Sequence, residues 1–220
     1  MINNKIVKKI SYNFSDIDYK IAKKILGIEM VRDRSIFAEL FDYSYKISKT
    51  SIDFFEKLIE THKYNISKYS EFELMLNFIS PFLNEVHFFG ENFRHWYQAN
   101  LSGIINGYEL SGKADFMLAS GLEEAKNPYF FMSKFKKSKT NSNPDFHVLT
   151  EMAVAIEINK TNIMYGSYNI GKFWNFLILK KENKKYKYYE SESFNSMKLE
   201  ELKQIFIAMK AIKHKYCGKI

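Results

Sequence analysis

Cysteine, proline and glycine are scarce in this chain of 220 residues, which contains one cysteine, three prolines and nine glycines. The single cysteine, Cys217, cannot form an internal disulfide, which excludes a disulfide-stabilised secreted scaffold. The few prolines and glycines argue against long structureless loops. No window reaches the roughly 20 apolar residues of a transmembrane helix, and residues 1–10 contain three lysines and no apolar block. We therefore expect a cytoplasmic protein that does not associate with membranes.

The sequence motifs of several enzyme classes are also missing. The chain has no Walker loop, no Rossmann glycine fingerprint and no Gly-x-Ser-x-Gly elbow, which excludes nucleotide-dependent and α/β-hydrolase functions that need them. Its histidines show no metal-ligand spacing, and no zinc-type cluster of cysteine and histidine is present.

Positive charge and aromatic side chains are abundant. Lysine and arginine number 33 against 25 acidic residues, a formal net charge of +8. A basic surface attracts phosphate polyanions, so DNA or RNA is the partner that this charge favours. The 20 phenylalanines and 15 tyrosines can fill a core or stack on bases, and core filling is the commoner role.

The order of predicted elements indicates an α/β protein. The first third has apolar residues at helical spacing, with Ser15 expected to cap the first helix. Ser70 and Glu73 form a capping box ahead of a further helix. Short aromatic and β-branched segments after residue 91 predict strands, which are expected over residues 93–98, 103–109, 113–119, 129–136, 163–170 and 172–179, with one more strand after residue 185. A helix is expected to begin at Asn143, and Ser196 is expected to cap the last helix.

We therefore predict a central mixed β-sheet flanked by helices, preceded by a helical N-terminal segment. The predicted division is residues 1–66 for that segment and 67–220 for the α/β domain, with the two forming one compact unit. The N-terminal helices are candidates for docking a second copy of the chain or another protein.

Residues 70–180 resemble the PD-(D/E)XK nuclease superfamily, especially its stand-alone and restriction-subunit-like bacterial members. Ser70-Glu71 leading into residues 79–83 is similar to the first helix of those proteins. Residues 112–116 (Gly-Lys-Ala-Asp-Phe) are similar to the strand that carries their metal-binding aspartate. Residues 128–137 are similar to the strand that normally ends in acid-x-Lys.

Two further features follow in the same order. His147 occupies a position where related proteins carry glutamine, and residues 165–176 are similar to a hairpin that ends in Gly-x-x-Trp-x-Phe. Each motif is short, so their joint order is what supports the resemblance. It covers about half of the chain, and residues 1–65 lie outside it. It implies a restriction-endonuclease-like fold.

The resemblance also implies a chemistry for three positions. Hydrolysis of a phosphodiester with Mg²⁺ or Mn²⁺ needs oxygen ligands for the metal and a positioned water. Asp115 is the expected metal ligand, and Lys136 is expected to act on the water or the scissile phosphate. The second acid of the motif is missing, because Lys134 stands two residues before Lys136 and shares its face of the strand.

A lysine at this position repels a divalent cation. At about 4 Å and an effective dielectric constant near 20, a unit charge contributes roughly 8 kcal/mol to the energy of a divalent ion. Either Glu71 or Glu151 replaces the missing acid, as in some members of the resembled family, or Lys134 binds a phosphate without cleavage. Lys137, Lys139 and His147 are further candidates for nucleic-acid contacts.

Two classes of function therefore remain open from the sequence. The first is a nucleic-acid-binding or nucleic-acid-cleaving protein of nuclease lineage, which would use Mg²⁺ or Mn²⁺ if active and no cofactor otherwise. The second is a non-catalytic interaction or scaffold protein, for example in a bacterial defence or mobile-element system. Nucleic-acid binding at low salt distinguishes them, because the electrostatic contribution is largest there.

Overall fold

The computed structural model describes residues 10–138, 143–183 and 185–217. Within these ranges the strands form one mixed sheet of nine strands in the order β1-β4-β5-β6-β7-β8-β2, with β3 paired to β4 and β9 paired to β7. The strands are β1 (Ser11–Asn13), β2 (Glu29–Met30), β3 (Phe93–Ile105), β4 (Tyr108–Ser120), β5 (Lys126–Lys136), β6 (Ile163–Ile170), β7 (Phe173–Glu182), β8 (Lys185–Glu190) and β9 (Phe194–Asn195). The predicted α/β class with a central mixed sheet is confirmed.

Helices cover both faces of the sheet. They are α1 (Tyr19–Leu26), α2 (Ala38–Phe41), α3 (Lys49–His62), α4 (Glu71–Leu74), α5 (Ser80–Val86), α6 (Pro144–Asn159) and α7 (Leu199–Cys217). A π-helical turn, Met75–Ile79, joins α4 to α5. One buried apolar cluster joins one face of the sheet to α2, α3, α5 and α7. The other joins the opposite face to α1 and α6. None of the described helices is long and apolar enough to cross a membrane.

Helix α6 is apolar on nearly all sides, because it packs into this core along most of its length. Residues 146–156 are buried without interruption, which is the pattern of a helix enclosed by protein. The helix connects β5 to β6, and these two strands are parallel, as strands joined by a helical crossover are. Side chains on the sheet-facing side of α6 are therefore held mainly against β5 and β6.

The hairpin of β3 and β4 differs from its prediction. Residues 93–98 and 103–109 were expected to be separate strands, but β3 runs unbroken to Ile105 and turns at Asn106-Gly107, where φ is 50° and 84°. Asn-Gly is the preferred pair for such a turn. Gly103, predicted to begin a strand, lies inside β3. A Cβ there would lie 2.8 Å from Cγ1 of Val154. This glycine allows α6 to approach β3.

Two predicted helix caps are wrong. Asp18, not Ser15, caps α1 by accepting a hydrogen bond from the backbone N–H of Ile21 at 2.8 Å. Ser196 is buried, and its hydroxyl donates to the carbonyl of Lys172 at 2.9 Å. Ser196 lies three residues before α7 begins. Its hydroxyl therefore bonds to the β6–β7 turn instead of to the first backbone N–H groups of the helix.

Several other local predictions are confirmed. The capping box of Ser70 and Glu73 is present in both directions, and α6 begins directly after Asn143. The hairpin of β6 and β7 turns at residues 171–172, and β8 follows it.

The first 66 residues also contain two strands that the sequence did not predict. β1 pairs with β4, and β2 pairs with β8. Phe37, Leu40, Phe55 and Leu58 from this segment pack in the same apolar cluster as residues from α5 and α7. The division at residues 66 and 67 stays a prediction.

Candidate functional site

The sheet divides where β4 and β5 separate. One edge of β4 pairs with β5 from Phe116 to Ser120, and further along pairs with β1 over residues 109–111. The other edge pairs with β3 along its length, except that no pairing joins Asp115 to Gln98. Residues 112–115 therefore have no described strand beside them on the first edge. We call this separation the β4–β5 fork, defined by Asp115 and Phe116 on β4 and Ser133 and Lys134 on β5.

At the fork, the side chain of Asp115 accepts the hydrogen bond that a backbone carbonyl of β4 would accept if the strands were still paired. Its Oδ2 accepts a hydrogen bond from the backbone N–H of Phe135 at 3.0 Å. In this way a side chain satisfies a backbone donor that β4 no longer reaches, as buried amide groups require. The carboxylate is thus held in place by the strand that carries the two lysines.

Lys134 and Asp115 form a buried ion pair. The lysine Nζ lies 2.6 Å from Oδ1 of Asp115, and the two side chains are only 8% and 9% exposed. The same oxygen accepts a hydrogen bond from Nε2 of Gln98 at 3.1 Å. Three donors therefore surround the carboxylate, and the lysine compensates its charge away from solvent.

Gln98 was not predicted as a site residue. It lies in the middle of β3 with a φ of 53°, a left-handed conformation that is uncommon for residues other than glycine. The residue with this unusual backbone conformation is the one whose side chain donates to Asp115. Such outliers concentrate at functional sites. Nothing in the sequence marks this position, because glutamine has no special preference for positive φ.

Lys136 contacts Glu71. Its Nζ lies 3.1 Å from each carboxylate oxygen of Glu71. Glu71 is the first residue of α4, and the capping box of the neighbouring Ser70 fixes where that helix begins. The Lys136 side chain is 22% exposed and that of Glu71 is 47% exposed, so this pair is reached by solvent and screened by it.

His147 and Glu151 lie one helical turn apart on α6, with Nε2 of the histidine 3.5 Å from Oε1 of the glutamate. Burial, with the charge of Lys134 as the next cause, lowers the pKa of His147 to about 3. Burial raises the pKa of Glu151 well above its usual value, although the charge of Lys134 opposes this. His147 is therefore neutral near pH 7, so its contact with Glu151 is not an ion pair. Within the part of the chain that the structure describes, neither oxygen of Glu151 has a hydrogen-bond partner.

The carboxylates present do not fit a divalent metal ion. Magnesium needs several oxygen ligands in near-octahedral arrangement. Asp115 already receives Lys134, Gln98 and the N–H of Phe135, while burial raises the pKa of Glu151 and so disfavours its ionised form. Among the described residues no group of three or more histidine, cysteine, aspartate or glutamate side chains could hold a metal ion.

Two openings meet at Gln98 and Asp115. The polar cleft has a volume of about 690 Å³, and its lining includes Asn13, Asn100, Lys113, Lys134 and His147. The second opening, of about 350 Å³, lies between α4 and the fork. Both volumes are in the range of small-molecule and nucleotide sites.

The predicted site residues come together only in part. Asp115 and Lys134 are joined directly, and the charges of both act on His147 and Glu151. The charge of Lys136 also acts on His147, although its amine is paired with Glu71. Lys137 is exposed beside the fork, and Lys139 lies outside the described residues. Their roles in catalysis and binding stay predictions.

No protein-family model matches this chain, and no curated protein matches it in sequence.

Proposed function

We propose that this chain is a nucleic-acid-binding protein of PD-(D/E)XK nuclease lineage that has lost metal-dependent hydrolysis. The observation that carries the proposal is the buried ion pair of Lys134 and Asp115. In this view the lysine amine occupies the side of the carboxylate where a nuclease of this type would hold its cation. Lysine keeps the local charge compensated without a metal.

The lineage is supported by the order in which the chain brings residues to the fork. Glu71 comes from α4, Asp115 from β4, Lys134 and Lys136 from β5, and His147 from α6. The resemblance drawn from the sequence uses the same order. We infer a restriction-endonuclease-like arrangement of these elements.

Binding to phosphate is supported by the charge around the polar cleft. Lys113 lines this cleft and is exposed, and Lys137 is exposed at the end of β5. The formal charge of the whole chain is +8. Lys134 is neutralised by Asp115, so its contribution is to remove a negative charge that would repel phosphate. Direct phosphate contacts then belong to Lys113 and Lys137.

Filter binding with labelled single-stranded DNA, single-stranded RNA and duplex DNA tests the proposal. We expect affinity to fall steeply between about 50 and 200 mM salt, because released counterions drive binding to phosphates. The double variant Lys113→Ala, Lys137→Ala should bind more weakly and show a shallower salt dependence. The matched control is Lys49→Ala, Lys57→Ala, which removes two exposed lysines from α3.

Absence of binding to all three nucleic acids at low salt would reject the proposal and favour a scaffold protein. Equal loss in the α3 control would show that only overall charge matters. A cleavage assay with Mg²⁺ and with Mn²⁺ on plasmid and single-stranded substrates addresses the enzyme alternative. Cleavage by wild type that disappears in Asp115→Asn would reject loss of hydrolysis and favour an endonuclease in which Glu71 or Glu151 replaces the acid.

A further inference from the structure

A groove with largely apolar walls runs between α4 and the β4–β5 fork. Its volume is about 350 Å³, and it is lined by Glu71, Phe72, Met75, Gln98, Asp115 and Phe135. Two aromatic rings and a thioether supply most of its surface, while an amide and two carboxylates supply the polar part. We call it the α4 groove.

One side of the α4 groove is formed by Phe72, whose ring is unusually exposed for a phenylalanine. Its side chain is 66% exposed, and Leu76, one turn further along the helix, is 56% exposed. Phe72 is the most exposed phenylalanine among the described residues. Adjacent exposed apolar side chains beside a groove indicate a binding surface rather than random surface variation.

Lys137 brings positive charge near the same groove. Lys136 lies at its Glu71 end, where the carboxylate compensates its charge, with Nζ 3.1 Å from each carboxylate oxygen. Lys137 is exposed and near α4: hydrogen bonds from Ser70 lower the pKa of Glu73, and the charge of Lys137 lowers it further. An exposed aromatic ring next to lysines is the combination that binds single-stranded nucleic acid, since bases stack on the ring and phosphates meet the cations.

Gln98 supplies a polar group at the floor of the groove. Its amide nitrogen donates to Asp115, which orients the side chain. Its side-chain oxygen accepts no hydrogen bond among the described residues. That oxygen is suited to accept a hydrogen bond from the exocyclic amino group of a base.

We propose that the α4 groove takes one unpaired nucleobase of a single-stranded nucleic acid, with the face of the base against Phe72 and its edge toward Gln98. This inference rests on the proposed function and adds the class of ligand. A duplex keeps its bases stacked on each other, so it cannot place a base here without unpairing it.

Fluorescence of an oligonucleotide with a central 2-aminopurine tests this inference, together with filter binding of the same strand and its duplex. We expect quenching on binding to wild type, because the fluorescent base stacks on Phe72. Phe72→Ala should abolish the quenching and weaken single-strand binding by roughly 5- to 100-fold. It should leave the salt dependence unchanged, because no phosphate contact is removed. Phe72→Tyr should restore both signals.

The matched control is Phe89→Ala, which removes another exposed phenylalanine, 45% exposed, beside His95 at the start of β3. It should quench and bind as wild type does. If Phe72→Ala binds and quenches like wild type, the base site is rejected while nucleic-acid binding stands. Equal wild-type affinity for strand and duplex also rejects it. If wild type binds no nucleic acid, the proposed function fails and the base site fails with it.

Discussion

Lys134 and Asp115 face each other where β4 and β5 separate, with the lysine Nζ 2.6 Å from Oδ1 of the aspartate. Neither side chain has much contact with water, so each depends on the other for compensation of its charge. The aspartate also holds the backbone N–H of Phe135. A single carboxylate therefore fixes both the position of the lysine and the geometry of the strand that carries it.

Removing one partner of this pair should destabilise the protein strongly. Lys134→Met keeps the aliphatic length but leaves the carboxylate of Asp115 buried without its cation. We expect a loss of about 3–5 kcal/mol in the free energy of unfolding, measured by urea denaturation. The double variant Lys134→Met, Asp115→Asn should recover much of this loss, because the asparagine oxygen can still accept from Phe135 and no charge remains.

The control for this cycle is Lys203→Met, which removes a lysine whose partner Glu200 is 82% exposed. Its effect should stay within about 1 kcal/mol, as for other surface pairs. A Lys134→Met variant as stable as this control would contradict the buried-pair account.

Restoring an acid at position 134 should create sensitivity to divalent cations. Lys134→Glu places a second carboxylate beside Asp115, and two buried like charges destabilise each other. We expect the variant to melt below wild type in the presence of a chelator. Millimolar Mn²⁺ should raise its melting temperature and leave that of wild type unchanged. The control Lys134→Gln adds no charge and should not respond to Mn²⁺. Equal responses of the glutamate and glutamine variants would show that position 134 does not face a cation site.

The sequence predicts the elements of this site better than its contacts. The capping box of Ser70 and Glu73, the start of α6 at Asn143 and the strands bearing Asp115 and Lys136 follow from local preferences, which the chain expresses without help from distant residues. The pairing of Lys134 with Asp115 depends on the register between β4 and β5 and on where these strands separate. Such long-range geometry is not encoded in residue spacing.

Gln98 illustrates a second limit. Gln98 belongs to the site because its backbone has a positive φ and its side chain donates a hydrogen bond to Asp115, 17 positions away. Glutamine is not a usual residue for that conformation, so no local pattern indicates it. By contrast, Asn106-Gly107 is a strong local turn signal, and the predicted strand over residues 103–109 is wrong because it runs through this turn.

Neutral His147 should make the protein sensitive to acid. Burial is the main cause that lowers its pKa from 6.5 to about 3, so the unfolded chain binds a proton more readily than the folded one. The stability from this residue is present above pH 6.5 and is lost as the pH falls toward 3. The loss should approach about 1.4 kcal/mol per pH unit within that window. Urea denaturation between pH 3.5 and 7 measures it.

The variant His147→Gln should show a flatter decline over the same range, because it cannot take up the proton. His214→Gln changes a histidine in the last turn of α7 and serves as the control, which should retain the wild-type slope. A wild-type slope in His147→Gln would show that other groups cause the acid sensitivity.

Glu151 should have the opposite pH dependence. Burial raises its pKa well above the usual 4.5, so the folded state holds this proton over a range in which the unfolded chain has released it. The stability from this residue is complete below pH 4.5 and is lost as the pH rises toward the folded-state pKa. Glu151→Gln is close in shape and cannot ionise. We expect this variant to be more stable than wild type at pH 8, by an amount that shrinks steadily as the pH is lowered toward 4.5.

Parallel urea titrations of the two proteins from pH 4.5 to pH 8.5 measure this difference directly. Glu60→Gln, a change at a side chain that is 72% exposed, provides the control and should follow the wild-type curve.

The charge of Lys134 opposes the rise in the pKa of Glu151. Adding Lys134→Met to both proteins should therefore enlarge the difference between their free energies of unfolding at pH 8. A gap that does not change with pH would mean that Glu151 stays ionised in the folded protein. In that case the ionised carboxylate of Glu151 would supply a second acidic group near Asp115 at the fork.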